Sequence, residues 1–189
     1  MTKTKREMIQ WGKLLFDRRL ISGWGGNLSC RVGKEGFLIT GQHAPLGFLT
    51  PEDLVQIDHD GKPSKPTQRA SSETPLHLAV YRGTDAQAIV HVHPPMVLAF
   101  SLTHESFVPI SFEEKYTIGE VPIVLQDTPT VTKPEQVVEE LGVGVDRLRD
   151  GLDRGLAGAA ANRPREVGRA DPVLLAARRT GDDHATLIH

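Results

Sequence analysis

The sequence predicts an α/β domain. Three observations lead there: an amphipathic helical period near the start, short β-rich runs separated by turn signals, and helix-start signals set between those runs. A chain of 189 residues is long enough for one domain with a real core.

The helical period covers about Lys5 to Leu20, where Met8, Trp11 and Leu15 recur at three and four with Leu14 beside them, and Ser22-Gly23 ends it. Leu28 to Arg31 and Phe37 to Thr40 read as paired strands around the turn Val32-Gly33-Lys34-Glu35-Gly36. Thr50-Pro51-Glu52-Asp53 opens a short helical turn, with Thr50 as cap and Pro51 at the tolerated first position. Val55 to Asp58 and the turn at His59-Asp60-Gly61-Lys62 suggest a further hairpin. Ser71 or Ser72 caps a helix to about Arg82, whose apolar face is Leu76, Ala79 and Val80. Pro94-Pro95 starts a helix through Leu102. Glu120 to Gln126 reads as a strand, at an edge because of Pro122. Thr132-Lys133-Pro134-Glu135 is a capping box for a helix over Gln136 to Leu141.

Composition narrows the function classes. A net charge of −2 leaves no basic footprint for nucleic acid. The apolar stretches are too short to span a membrane, and no apolar signal core follows the basic start Lys3-Thr4-Lys5-Arg6. Cys30 is the only cysteine, so no intrachain disulfide forms. The expectation is a soluble, cytoplasmic protein without thiol redox chemistry.

Ala88-Ile89-Val90-His91-Val92-His93-Pro94-Pro95 carries the chemistry. Residues two apart on a strand share a face, so His91 and His93 aim at one point while Val90 and Val92 pack the other way. Paired imidazoles suit a divalent metal such as zinc, although a bare His-x-His is also met as two hydrogen-bonded strand-end histidines. In Gly23-Trp24-Gly25-Gly26-Asn27, converging backbone N–H groups would hold an anion such as phosphate; a turn that merely needs positive φ has the same composition. Glu73 stands at the positive end of a helix dipole, which favours its ionised form, and an acid is also simply at home in a first turn.

The spaced set Gly26-Asn27, Ser71-Ser72-Glu73 and His91-x-His93-Pro94 resembles the class II aldolase/adducin family, over about Lys5 to Leu141. That resemblance implies a three-layer α/β/α domain with a largely antiparallel central sheet, and a homotetramer with active sites between subunits. It implies that His91, His93 and Glu73 bind zinc, and that Glu73 also acts as acid/base. It makes Gly26, Asn27, Ser71 and Ser72 phosphate-binding positions. Gln42 and His43 stand where the family usually has a Thr/Ser-Gly pair, also for phosphate. The implied activity is that of a zinc-dependent lyase cleaving a ketose 1-phosphate such as fuculose phosphate to dihydroxyacetone phosphate and an aldehyde. Sugar-phosphate dehydration of the methylthioribulose-phosphate type and pentulose-phosphate 4-epimerisation share the site. A non-catalytic, adducin-like assembly domain is the reading from another class, and the metal-type residues speak against it.

The family's third metal histidine lies in a His-Gly motif beyond the last of these helices, and here no histidine occurs between His104 and His184. Lysines stop at Lys133 and aromatics at Tyr116, a tyrosine that would suit a further acid. The chain thus divides into a domain over 1–141 and an Ala/Arg/Gly-rich tail over 142–189. Such a tail has little to bury and is expected to be mobile or poorly packed. Its composition is that of GC-rich DNA read out of frame, so a frameshifted or replaced C-terminus is the expectation.

Overall fold

A computed structural model describes residues 1–34, 36–111, 114, 120–125 and 130–140, and the backbone of residues 176–179 and 185–188. The chain opens with helix α1 (Lys3–Asp17), then strands β1 (Asn27–Arg31) and β2 (Phe37–Thr40). Two single 3-10 turns (Leu46–Phe48 and Pro51–Asp53) lead into β3 (Leu54–Ile57). Helix α2 (Thr74–Gly83), strand β4 (Ala88–Val92) and helix α3 (Pro95–Ser101) follow. A small separate ribbon pairs β5 (Ser106–Phe107) with β6 (Val121–Pro122), and residues 134–140 are helical. Strands β7 (Ala176–Arg179) and β8 (Ala185–Ile188) complete the described elements.

The main sheet is antiparallel throughout, in the order β3-β2-β1-β4-β8-β7. Side-chain alternation sorts its two faces into two cores. On one face Phe37, Ile39, Val55, Ile57 and Ile89 pack with Leu76, Val80 and Tyr81 of α2 and with Val131 and Val137. On the other, Leu28, Leu38, Leu54 and Val92 pack with Met8 and Leu15 of α1 and with Leu46 and Leu49. Helices therefore cover both faces of an antiparallel sheet, the three-layer α/β/α arrangement that the family resemblance implied.

Several local expectations shift. Helix α1 buries Met8, Gly12 and Leu15, while Trp11 stays 58 % exposed and Leu14 is exposed as well. The reason is Gly12: a Cβ there would lie 2.4 Å from the Leu46 carbonyl oxygen. The helix backbone sits directly on the 46–48 turn, and that rotation turns Trp11 outward. Helix α2 begins at Thr74 with Glu73 at its cap, not at a serine. Ser71 still serves the start locally: its Oγ accepts from the Glu73 N–H at 3.2 Å and its carbonyl accepts from Thr74 Oγ1 at 2.6 Å. Of the strand expected over Glu120 to Gln126, the described residues 120–125 form only Val121–Pro122, because Pro122 has no N–H for a longer ladder, and Gln126 lies outside the described residues. The tail received no strand from its sequence, yet β8 pairs with β4 and β7 with β8. The other tail residues, and the expectation of mobility with them, lie outside the described residues.

Candidate functional site

Sheet register brings the singled-out residues to one end of the sheet. Asn27 at the start of β1 pairs with His91 near the end of β4. On its other side β1 runs beside β2, whose last residue, Thr40, is followed by Gly41-Gln42-His43. A bridge from Gly41 to Ala70 places Ser71-Ser72-Glu73 next along, and the Ser71 N–H donates to the Thr40 carbonyl at 3.1 Å. Four segments distant in sequence thus meet at one edge.

The histidine pair forms as the alternation demands. His91 is 2 % exposed, and its ring stacks on that of half-buried His93 with centroids 4.8 Å apart. Val92 is buried in the core on the α1 side. Pro94 and Pro95 end the strand and open α3, which fixes the direction in which β4 leaves the sheet. The glycine turn is packed against this strand. Gly26 has φ +80°, and a Cβ there would lie 2.5 Å from the His91 carbonyl oxygen. Gly25 passes the His93 ring, with a Cβ position 3.9 Å from it. Both needs, positive φ and close approach, hold at Gly26.

Glu73 is buried at the cap of α2, and its Oε2 accepts from the Val131 N–H at 3.3 Å. Two imidazoles on one face are a fitting donor pair for a divalent ion. The expected trio is another matter: among the described residues, no three His, Cys, Asp or Glu side chains are gathered closely enough to hold one. His184, His189 and Tyr116 lie outside the described residues. Of the phosphate-type positions, Asn27 and Ser71 are buried, whereas Ser72, Gln42 and His43 are exposed. His43 holds φ +61°, and the Gln42 N–H is already committed to the Arg69 carbonyl at 3.0 Å. Any anion contact by Gln42 therefore falls to its side chain.

One constellation escaped the sequence reading. His77 is 1 % exposed, with Nδ1 2.6 Å from Ser29 Oγ and Nε2 hydrogen-bonded to Asn27 Oδ1. Ser29 Oγ in turn lies 2.7 Å from the Tyr81 hydroxyl. Burial pushes His77 down to about pKa 3 and raises the Tyr81 phenol. The signal was present as spacing: Glu73, His77 and Tyr81 recur every four residues on one helical stripe, and Asn27 and Ser29 share one strand face.

Residues 6–149 match the family described as Class II Aldolase and Adducin N-terminal domain. The chain is 39 % identical over 88 residues to a methylthioribulose-1-phosphate dehydratase of Pseudoalteromonas translucida, 46 % of this chain and 41 % of that one. It is 35 % identical over 121 residues to an L-fuculose phosphate aldolase of Methanococcus maripaludis, 62 % of this chain and 64 % of that one. The crystal structure of an L-fuculose-1-phosphate aldolase from Thermus thermophilus superposes with TM-score 0.60 at 35 % identity, covering 71 % of this chain and 68 % of that one. The matched stretches thus span 41 % and 64 % of these two curated relatives. No helix among the described residues is long and apolar enough to cross a membrane.

Proposed function

This chain belongs to the class II aldolase and adducin family, and from that premise we propose that it is a metal-dependent lyase of the aldolase type, acting on a phosphorylated ketose. The observation that carries the reading is the stacked His91–His93 pair packed against the Gly26-Asn27 turn at one sheet end. His91 and His93 would hold a divalent ion such as zinc; Glu73, which is not gathered with them and accepts from the Val131 N–H, would become a third donor only by leaving that amide. Such an ion, when bound there, would supply Lewis acidity for a ketose carbonyl. The phosphate is anchored by Gly26, Asn27, Ser71 and Ser72, with Gln42 and His43 at the exposed rim, and that anchoring positions the sugar. When the carbon–carbon bond breaks, the hydroxyl on the departing carbon gives its proton to solvent and becomes the aldehyde carbonyl, while the bond's electron pair stays on the carbon beside the ketose carbonyl. A Glu73 carboxyl oxygen delivers the proton there, and takes one back in the condensation direction.

Dehydration of a methylthioribulose phosphate is a second reading, favoured by 39 % identity to a dehydratase of that kind. It uses the same anchor and the same acid/base. Assembly as a homotetramer in the cytoplasm is part of the proposal.

Two measurements test it together. Metal analysis of the purified protein should find a divalent ion that is largely lost in the His91→Ala, His93→Ala double variant. A panel of ketose 1-phosphates should then yield dihydroxyacetone phosphate, or methylthioribulose 1-phosphate should lose water. Glu73→Gln should lower turnover by about 10²–10⁴-fold while metal content falls far less. Full metal occupancy in the double variant, or an unchanged rate in Glu73→Gln, would refute these assignments.

A further inference from the structure

Tyr81, Ser29 and His77 have no part in the chemistry above, yet their buried hydrogen-bond chain ends on Asn27, a phosphate-type residue. Proton accounting fixes its direction. His77 is neutral, so one ring nitrogen donates and the other accepts. If Nε2 carries the hydrogen, it donates to Asn27 Oδ1, Ser29 Oγ–H donates to Nδ1, and the Tyr81 hydroxyl donates to Ser29 Oγ. Every hydrogen between these four groups then has an acceptor. In the reverse sense the Tyr81 hydroxyl hydrogen is left over inside a side chain only 4 % exposed, which is costly.

We propose that His77 is a positioning residue for phosphate binding: it captures the Asn27 side-chain carbonyl, so that the amide NH2 group is the end left for an incoming phosphate. This rests on the phosphate-anchoring role given to Asn27 above. A phosphate offers only acceptors, and an Asn turned the other way would meet it with another acceptor instead of a donor. Glycine at 26 leaves the adjoining backbone without a side chain, so the orientation of one amide decides the polarity of that corner.

The test uses the full chain and inorganic phosphate as probe, with binding followed by calorimetry. Asn27→Ala and His77→Leu should each weaken phosphate by roughly ten-fold, the loss of one hydrogen bond to a charged group. His77→Leu in the Asn27→Ala background should add nothing. His77→Gln, whose amide offers a donor near the Nε2 position, should keep most of the affinity. Nitrogen NMR of the wild-type ring should show the Nε2–H tautomer. An Nδ1–H tautomer overturns the proposal. So does His77→Leu with wild-type affinity while Asn27→Ala has lost it, or a His77→Leu loss that adds to that of Asn27→Ala. Unchanged affinity in Asn27→Ala itself defeats the phosphate anchor, and the positioning role with it. Should His77→Leu fail to fold, the tautomer and His77→Gln still decide: His77→Gln binding as weakly as Asn27→Ala refutes the idea.

Discussion

His77 also carries a stability signature that is independent of any ligand. Its ordinary value of 6.5 falls to about 3 in the fold, through burial. Between those values the unfolded chain binds a proton that the folded one refuses, so acid favours unfolding. The contribution is complete above about pH 6.5 and is lost as pH falls towards 3, at about 1.4 kcal/mol per pH unit. Unfolding free energies measured from pH 7 to 4 should therefore fall less steeply for His77→Gln than for the wild type. Parallel curves would mean that the ring is not held neutral. Glu73, a few residues earlier on the same stripe, is buried in a different way, with its Oε2 tied to the Val131 amide.

At the scale of elements, the glycine turn and β4 form one unit. Substituting Gly26 with alanine asks for φ +80° and puts a Cβ 2.5 Å from the His91 carbonyl oxygen. The backbone there has to move, and the expected loss is about 1–3 kcal/mol or more. Gly25→Ala meets only a 3.2 Å approach to the Ser22 carbonyl oxygen and should cost much less. Thermal unfolding of the two variants checks this, and equal melting temperatures would contradict it. These two elements were legible in the sequence because each is written locally. Alternation places His91 and His93 together, and Gly-Gly-Asn announces a special turn. The outward turn of Trp11 was not legible, because the face that α1 buries is chosen by Gly12 meeting the Leu46 carbonyl, a contact far along the chain. The start of α2 moved for a similar reason, since Ser71 is drawn into the sheet edge by Thr40. The His77 chain stayed hidden because it needs two stripes, one on a strand and one on a helix, to face each other.

For the whole molecule, antiparallel order decides which ends of the strands meet. The Asn27 end of β1, the Thr40 end of β2, the Leu54 end of β3 and the His91 end of β4 lie together. The turns at residues 32–36 and 58–62 fall at the opposite end, about 16 Å away for a five-residue strand. That polarity offers a handle for labelling. Lys34 is exposed on the far turn, while the chain's own thiol, Cys30, is pushed up to about pKa 11 by burial and by Glu7. Its reactive thiolate is scarce at neutral pH. In a Lys34→Cys variant, maleimide at pH 7 should modify one thiol quickly and Cys30 slowly, as mass spectrometry of tryptic peptides would show. A dye or a surface tether attached there sits at the far end of the sheet from the histidine pair, so the protein can be watched or immobilised with the His91–His93 end facing the solution.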